Sequence, residues 1–520
     1  MAETYRIQRN DFKNFNSHRV FVRREGEPRP DGEFVMYWMQ IHRRMHSNYA
    51  LEYAIGHANR LGKPLLIVEA LRQSYPWASD RVHSFIMQGM REHLAFARKR
   101  GLNYYAFLED AAHSGKGMLE GLATRACLIV SDEFPAYIIP AHNRPLTEKL
   151  VKNRASDVPF ITIDANGVIP LQATDKAPYS AYVFRNNLQK KFAEAWSRAP
   201  LDDPLKKLNS SVKIAFPAEF ALRYPRADAH LRGDVDMQKF IVGLPIDHSV
   251  KALSDVPGTR AAALKRLTAF ADRALADYSQ KRNDPDAAAT SGLSPYLHFG
   301  KISSFELVAA AFARQPRAWN VERLAYNKGS KGFFSAGGGL TAIDDFLDEA
   351  LTWRETGYHF CHHTPNYDQF ESLPDWARDT LTQHAKDPRE HLYTLEQLRA
   401  GETHDDVWNA AQRQLVKTGV IHNYLRMLWG KKILEWTASP EQALEILIEL
   451  NNLYSIDGRN PNSYSGVFWT LGRFDRPWQE RPIFGKIRYM SSPLARKKIA
   501  MENYLERFGE NAPREQSLFE

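Results

Sequence analysis

The chain has 520 residues, with 69 Lys and Arg against 61 Asp and Glu, a formal charge of +8, and 43% apolar residues. This composition excludes global disorder and leaves room for about three domains of ~150 residues, or fewer if they are large. Two cysteines, Cys127 and Cys361, exclude a disulfide scaffold and a four-cysteine iron–sulfur site. No apolar run of about 18 residues is present to span a bilayer, and the opening MAETYRIQRNDF lacks the apolar core of a signal peptide. A cytoplasmic protein without a membrane is expected. The basic balance suggests a polyanionic partner, because Lys and Arg contacts to phosphate release counterions. The 11 Trp, 22 Tyr and 28 Phe suit flat ligands as well as a packed core.

In chain order, residues 34–41, 64–70, 103–108, 126–131 and 159–164 are apolar runs of strand length. Residues 48–61 and 84–98 carry apolar side chains at helical spacing. Such alternation predicts an α/β domain, a doubly wound, mostly parallel sheet with helices on both faces. No G-x-G-x-x-G follows the first of these strands and no G-x-x-x-x-G-K-[ST] occurs, which argues against an ordinary dinucleotide site or a P-loop. Around 201–232 the periodicity lapses among Pro204, Pro217 and Pro225, as in a surface linker. Beyond it the pattern is helical, with capping boxes expected at Ser303–Glu306, Thr394–Gln397 and Ser439–Gln442. The Gly-rich 328–339 segment reads as an irregular loop. The expected domains are therefore 1–200 (α/β), a linker at 201–232, and an all-helical 233–520.

The histidines around 359–363 lack a second spaced ligand pair, so no metal site is expected. No local nucleophile signature is present either. A tryptophan series stands out in the last third. Trp429 and Trp436 are seven residues apart on one predicted helix, 421–436, and Trp408 lies on the helix before it, across a break at Gly419.

The flanking residues carry a resemblance. HDDVWNAAQRQLVKTGVIHNYLRMLWGKKILEW (404–436), LNNLYSIDGRNPNSYSGVFW (450–469) and RPIFGKIRYM (481–490) resemble the signature of class II cyclobutane pyrimidine dimer photolyases. RNDP (282–285) and TSGLSPYLHFG (290–300) are similar to the flavin segment of the photolyase/cryptochrome family. The resemblance covers nearly the whole chain. It implies light-dependent splitting of pyrimidine dimers in UV-damaged DNA by electron transfer from photoexcited reduced FAD. An antenna pigment in the α/β domain, a deazaflavin or a folate, is an option that the family leaves open. No obligate protein partner is implied, and a monomer is expected.

By resemblance, Tyr278, Thr290, Ser291, Gly292, Leu293 and Ser294 hold the FAD phosphates and ribityl region. Arg426 and Asp457 form an ion pair beside the isoalloxazine, with Gly458 and Arg459 following. Asn451 faces the reactive ring edge, with Asn462 as second choice. Trp436, Trp429 and Trp408 form an electron relay, proximal to distal in that order. Glu349 and Trp353, one helical turn apart, and Trp469 form the polar contact and the two aromatic walls for a flipped dimer, with Met427 completing the pocket. Arg282, Arg473, Arg476 and Arg481 contact phosphates. The sequence departs from the class II pattern at Asn423, where Gly is common, and at Leu428 and His359; Asn423 is therefore a further expected lesion contact. The alternative is a cryptochrome-like blue-light photoreceptor without repair, against which the retained Glu349, Trp353, Asn451 and Trp469 weigh.

Overall fold

The structure, a computed structural model, describes residues 12, 15–152, 157–510 and 512; residues 1–11, most of the stretch read for a signal peptide, lie outside the described residues. Two compact units are present. One is built from the chain up to Asp175 with Asn186–Ala269 and Gly292–Lys328, the other from Lys176–Arg185, Phe270–Ser291 and the chain from Gly329 onward.

The first unit is organised by a six-stranded sheet: β1 (Val20–Arg24), β2 (Phe34–Met39), β3 (Leu65–Leu71), β4 (Asn103–Leu108), β5 (Ala126–Glu133) and β6 (Phe160–Asp164). Their order is β1-β6-β5-β2-β3-β4. All neighbours are parallel except β1, which pairs antiparallel with β6 at the edge. Every residue of β2 is buried, as expected for a central strand covered on both faces. The helix Tyr49–Leu61 starts at an Asn48 cap and ends at a left-handed Gly62; Asp80–Arg100 does the same with Ser79 and Gly101. The short edge strand β1 and the helix Ile138–Lys152, which carries Pro145 internally, escape periodicity analysis.

The strand order reverses between β2 and β5, the place where doubly wound sheets usually bind ligands. Here the chain fills that place itself. Asp132 Oδ2, at the end of β5, accepts the backbone N–H groups of Gln40, Ile41 and His42 at 2.8, 2.9 and 3.1 Å. Its Oδ1 accepts the Tyr37 hydroxyl at 2.9 Å. An internal carboxylate thus occupies the backbone nest that a phosphate would otherwise use, in keeping with the missing glycine motif. Nearby, Glu69 is buried among Arg43, His93 and Tyr104, each 2.7 Å away.

Residues 201–232 contain only short turns of helix, Pro204–Lys207, Ala218–Arg223 and Ala227–Ala229. They run over β4, with Phe216 and Phe220 on the Tyr105 ring at 4.7 and 5.8 Å. In the second unit the named elements among the described residues are all helical, joined by irregular stretches such as 471–491. The capping boxes at Ser303 and Thr394 are complete, the former in the first unit. The one expected at Ser439 is half formed: Ser439 accepts the Gln442 N–H, but Gln442 Oε1 reaches past it to the N–H of Ala438.

Candidate functional site

The helix Thr341–Leu347 continues into a π-helical turn, Asp348–Trp353, and then into Arg354–His363. The Arg354 N–H reaches back to the Glu349 carbonyl, widening the turn that carries Glu349 and Trp353. Asp348 is clamped by Arg185 at 2.7 and 2.8 Å, which fixes the turn. Glu349 Oε1 takes Arg282 Nη1 at 2.5 Å. Burial pushes the Glu349 carboxyl up from its ordinary pKa, and Arg282 pulls it back. The Arg282 guanidinium lies 5.8 Å from the Tyr278 ring, which packs edge-on against Phe270 and Phe346. Arg282 is therefore turned toward a carboxylate and an aromatic ring.

From there a chain of contacts runs inward. The Arg282 carbonyl accepts His422 Nε2–H at 3.0 Å, and His422 opens the helix Asn423–Glu435. One turn along, Arg426 lies 3.6 Å from Asp457 Oδ1. Asp457 also takes the Ser455 hydroxyl. Asn451 and Asn452 end the helix Pro440–Tyr454, and both are buried. Asn451 Nδ2 donates to Asn452 Oδ1 at 3.1 Å. Arg459, left-handed at φ 64, donates its guanidinium to the carbonyls of Asn452, Ser455 and Ile456. It closes the helix end, and its backbone N–H is bound there too, to Asn452 Oδ1 at 2.7 Å. Gly458 has no room for a side chain: a Cβ there would meet the Asn451 and Ser455 carbonyl oxygens at 2.8 and 2.9 Å. Asn462 lies at the start of the next helix, Pro461–Thr470, its N–H bound to Asn460 Oδ1.

The tryptophans are brought together, in a different order from the one expected. Trp408 stacks on Trp429 (centroids 6.4 Å, 4°) and meets Trp436 edge-on (5.6 Å, 71°). Trp408 is thus the middle ring. Seven residues of one helix separate Trp429 and Trp436 by about 10 Å along its axis, and the neighbouring helix Asp406–Thr418 inserts Trp408 between them. The indole N–H of Trp408 donates to the Trp429 carbonyl and that of Trp429 to Gln412 Oε1, both at 3.0 Å.

Trp469 is half-buried near the end of Pro461–Thr470. That helix packs closely on Arg354–His363, where a Cβ at Gly357 would meet the Pro461 carbonyl at 2.9 Å. Two cations that sequence reasoning missed attend the Trp469 ring. Lys431 Nζ is 4.9 Å and the Arg488 guanidinium 5.5 Å from its centroid. Arg488 also stacks on Trp478 at 4.1 Å and is held by Asp475. Arg473 is turned inward, over Phe360 at 4.0 Å with a bond to the Ser372 carbonyl. Arg476, Arg481 and Asn423 are exposed, while Met427 and Trp353 are half-buried. Thr290 and Ser291 fall in the helical unit; Gly292, Leu293 and Ser294 fall in the other. Gly292 is left-handed (φ 59), and Leu293 is buried, so its side chain serves packing.

The donor set suits a flavin. A guanidinium–carboxylate pair and a buried amide offer both charges and both hydrogen-bond senses to a heteroaromatic edge, in a unit that also holds three oxidisable rings, Trp429 one helical turn from Arg426.

No protein-family model matches the chain. A deoxyribodipyrimidine photo-lyase of Methanothermobacter thermautotrophicus is 34% identical over 485 residues, covering 92% of this chain and 96% of that protein. Those of Arabidopsis thaliana and Potorous tridactylus are 33% and 32% identical, covering 91% and 94% of this chain and 88% and 84% of theirs. A bacterial class III photolyase structure from Agrobacterium tumefaciens superposes with a TM-score of 0.66 at 19% identity, over 92% of this chain and 86% of that one. The chain belongs to the deoxyribodipyrimidine photo-lyase family.

Proposed function

We propose that this protein is a light-dependent lyase of the class II type, acting as a monomer on UV-damaged DNA and splitting cyclobutane pyrimidine dimers. The observation that carries this reading is the Arg426–Asp457 pair beside buried Asn451, set in one unit with the Trp436–Trp408–Trp429 contacts. When bound, reduced FAD supplies the photoexcited electron that opens the dimer and recovers it afterwards. The Arg426–Asp457 pair and Asn451 hold the isoalloxazine edge. Tyr278, Thr290, Ser291, Gly458 and Arg459 serve the rest of the cofactor. Glu349, oriented by Arg282, meets the polar edge of a flipped dimer, and Trp353, Trp469 and Met427 provide its apolar walls. The tryptophans pass an electron from Trp436 through Trp408 to Trp429, one helical turn from Arg426, restoring the reduced cofactor. An antenna pigment, a deazaflavin or a folate, belongs to the α/β unit in this reading.

The test uses chemically reduced holoprotein with dimer-containing single- and double-stranded DNA, in blue light and in darkness. Restored thymine is expected only in the light. Bound flavin and bound DNA without light-dependent restoration would overturn repair in favour of a photoreceptor.

A further inference from the structure

The irregular stretch 471–491 exposes Arg476, Trp478 and Arg481 on one loop, and a histidine that takes no part in the site described above ties that loop down. His384 follows the helix Asp375–Gln383 as its C-terminal cap. Its Nδ1 lies 2.6 Å from Asp387 Oδ2, in the turn after the helix, and its Nε2 lies 3.0 Å from Glu480 Oε1, in the loop. Asp387 Oδ2 also accepts the Ile483 backbone N–H at 2.8 Å. One helical turn before His384, the Thr380 hydroxyl oxygen accepts the Lys486 N–H at 3.0 Å. Between these anchors the loop doubles back, with N–H groups and carbonyls of Arg481 and Gly485 bonded both ways at 2.9 and 2.8 Å. Gly485 is left-handed (φ 51), and a Cβ there would meet His384 Cδ2 at 2.8 Å, so ring and loop are in direct contact.

We propose that His384, as an imidazolium, is a positioning residue for DNA binding: it joins the end of the helix Asp375–Gln383 to the loop 475–489 and so holds Arg476 and Arg481 in place for phosphates. A neutral imidazole has a single N–H and can donate to only one of the two carboxylates, whereas the imidazolium donates to both. Whichever nitrogen loses its proton then turns a lone pair toward a carboxylate, and the contact becomes repulsive. The proposal rests on the reading of DNA as the substrate.

The hydrogen bonds to Asp387 and then to Glu480 hold His384 above the ordinary histidine pKa, with burial acting in the opposite sense. Asp387 in turn is held below the ordinary carboxylate range, first by the Ile483 N–H and then by His384, with Arg389 adding to the effect. From the helix itself the group facing the loop is the Thr380 hydroxyl, which is neutral. Because the folded value is raised, the anchor is complete below the ordinary histidine pKa of about 6.5 and is lost as pH rises through the raised value. Arg476 and Arg481 keep their charge over that whole range. A change in DNA affinity there reports where the two cations are held, not whether they are charged.

The test measures the affinity of the holoprotein for dimer-containing duplex DNA from pH 6 to 9, with amide hydrogen exchange of the loop at each pH, corrected for the intrinsic exchange rate. In the wild type, affinity should fall about threefold as pH rises, the slope of log affinity against log salt should flatten by about two, and protection of the Ile483 and Gly485 amides should fall with them. His384→Gln should show the high-pH affinity and protection at every pH. Glu480→Gln, which leaves one carboxylate in place, should move the midpoint to lower pH. At saturating DNA the repair rate per absorbed photon should be unchanged in both variants, so that only KM responds. A pH profile of affinity that persists in His384→Gln overturns the proposal, as does loop protection that ignores pH in the wild type. DNA binding that follows the predicted profile without light-dependent repair would overturn the repair reading and leave His384 in its role. Absence of DNA binding at every pH would overturn both.

Discussion

Lys431 sits inside the helix Asn423–Glu435 with no exposed surface, its Nζ 2.6 Å from the Thr470 carbonyl. Burial pushes its pKa down to about 7, against the attraction of Asp475 and with the repulsion of Arg488. An unfolded lysine keeps its proton to about pH 10.4. Between pH 7 and about 10 the unfolded chain thus binds more protons than the folded one, and stability rises with pH. Below pH 7 both states are charged and the burial penalty is felt in full. Chemical denaturation should show this rise between pH 7 and 9, and Lys431→Met should flatten it, adding about 1–2 kcal/mol at neutral pH. An unchanged slope in the variant would contradict the assignment. A Lys-Lys pair in the sequence reads as a solvated face, but tertiary packing buries both side chains, Lys431 under Trp469 and Lys432 over Trp436. Arg488 was illegible for the same reason, because its partners Asp475, Trp469 and Trp478 meet it through tertiary packing. The Arg426–Asp457 pair was legible only through resemblance, and the structure brings the two side chains together.

Periodicity found the parallel strands and the two long helices of the α/β unit, since burial on both faces leaves a continuous apolar signature. It missed β1, whose VFVRR carries charge at an edge, and Ile138–Lys152, whose internal Pro145 reads as a breaker. The relay shows the same limit. Spacing along one helix placed Trp429 next to Trp436, whereas the ring between them comes from the neighbouring helix. Trp408→Phe and Trp436→Phe should each slow light-driven flavin reduction about tenfold or more, while chemically reduced protein retains repair. If Trp408→Phe were silent, the relay would run along the single helix without the ring inserted from its neighbour.

At the scale of the molecule, the +8 charge is modest for 520 residues, and many arginines are internally paired. Arg282 faces Glu349, Arg488 faces Asp475, and Arg473 lies over Phe360. Exposed Arg476 and Arg481 remain available to phosphate. Binding to undamaged duplex should weaken with salt, and each of Arg476→Ala and Arg481→Ala should reduce the slope of log affinity against log salt by about one. Slopes unchanged in both variants would move the DNA path elsewhere.

The π-helical turn at Asp348–Trp353 has a genetic meaning as well as a geometric one. Such a turn is an α-helix carrying one residue more than its hydrogen-bond ladder can accommodate. Deleting a single residue within it would let the ladder close as an uninterrupted α-helix from Thr341 to His363. The segment before the deletion would then rotate by about 100° relative to the segment after it. Glu349 would swing away from Arg282 while Trp353 stayed in place. Substitutions here change one contact at a time, but a lost codon would uncouple the acid from the aromatic wall in one step.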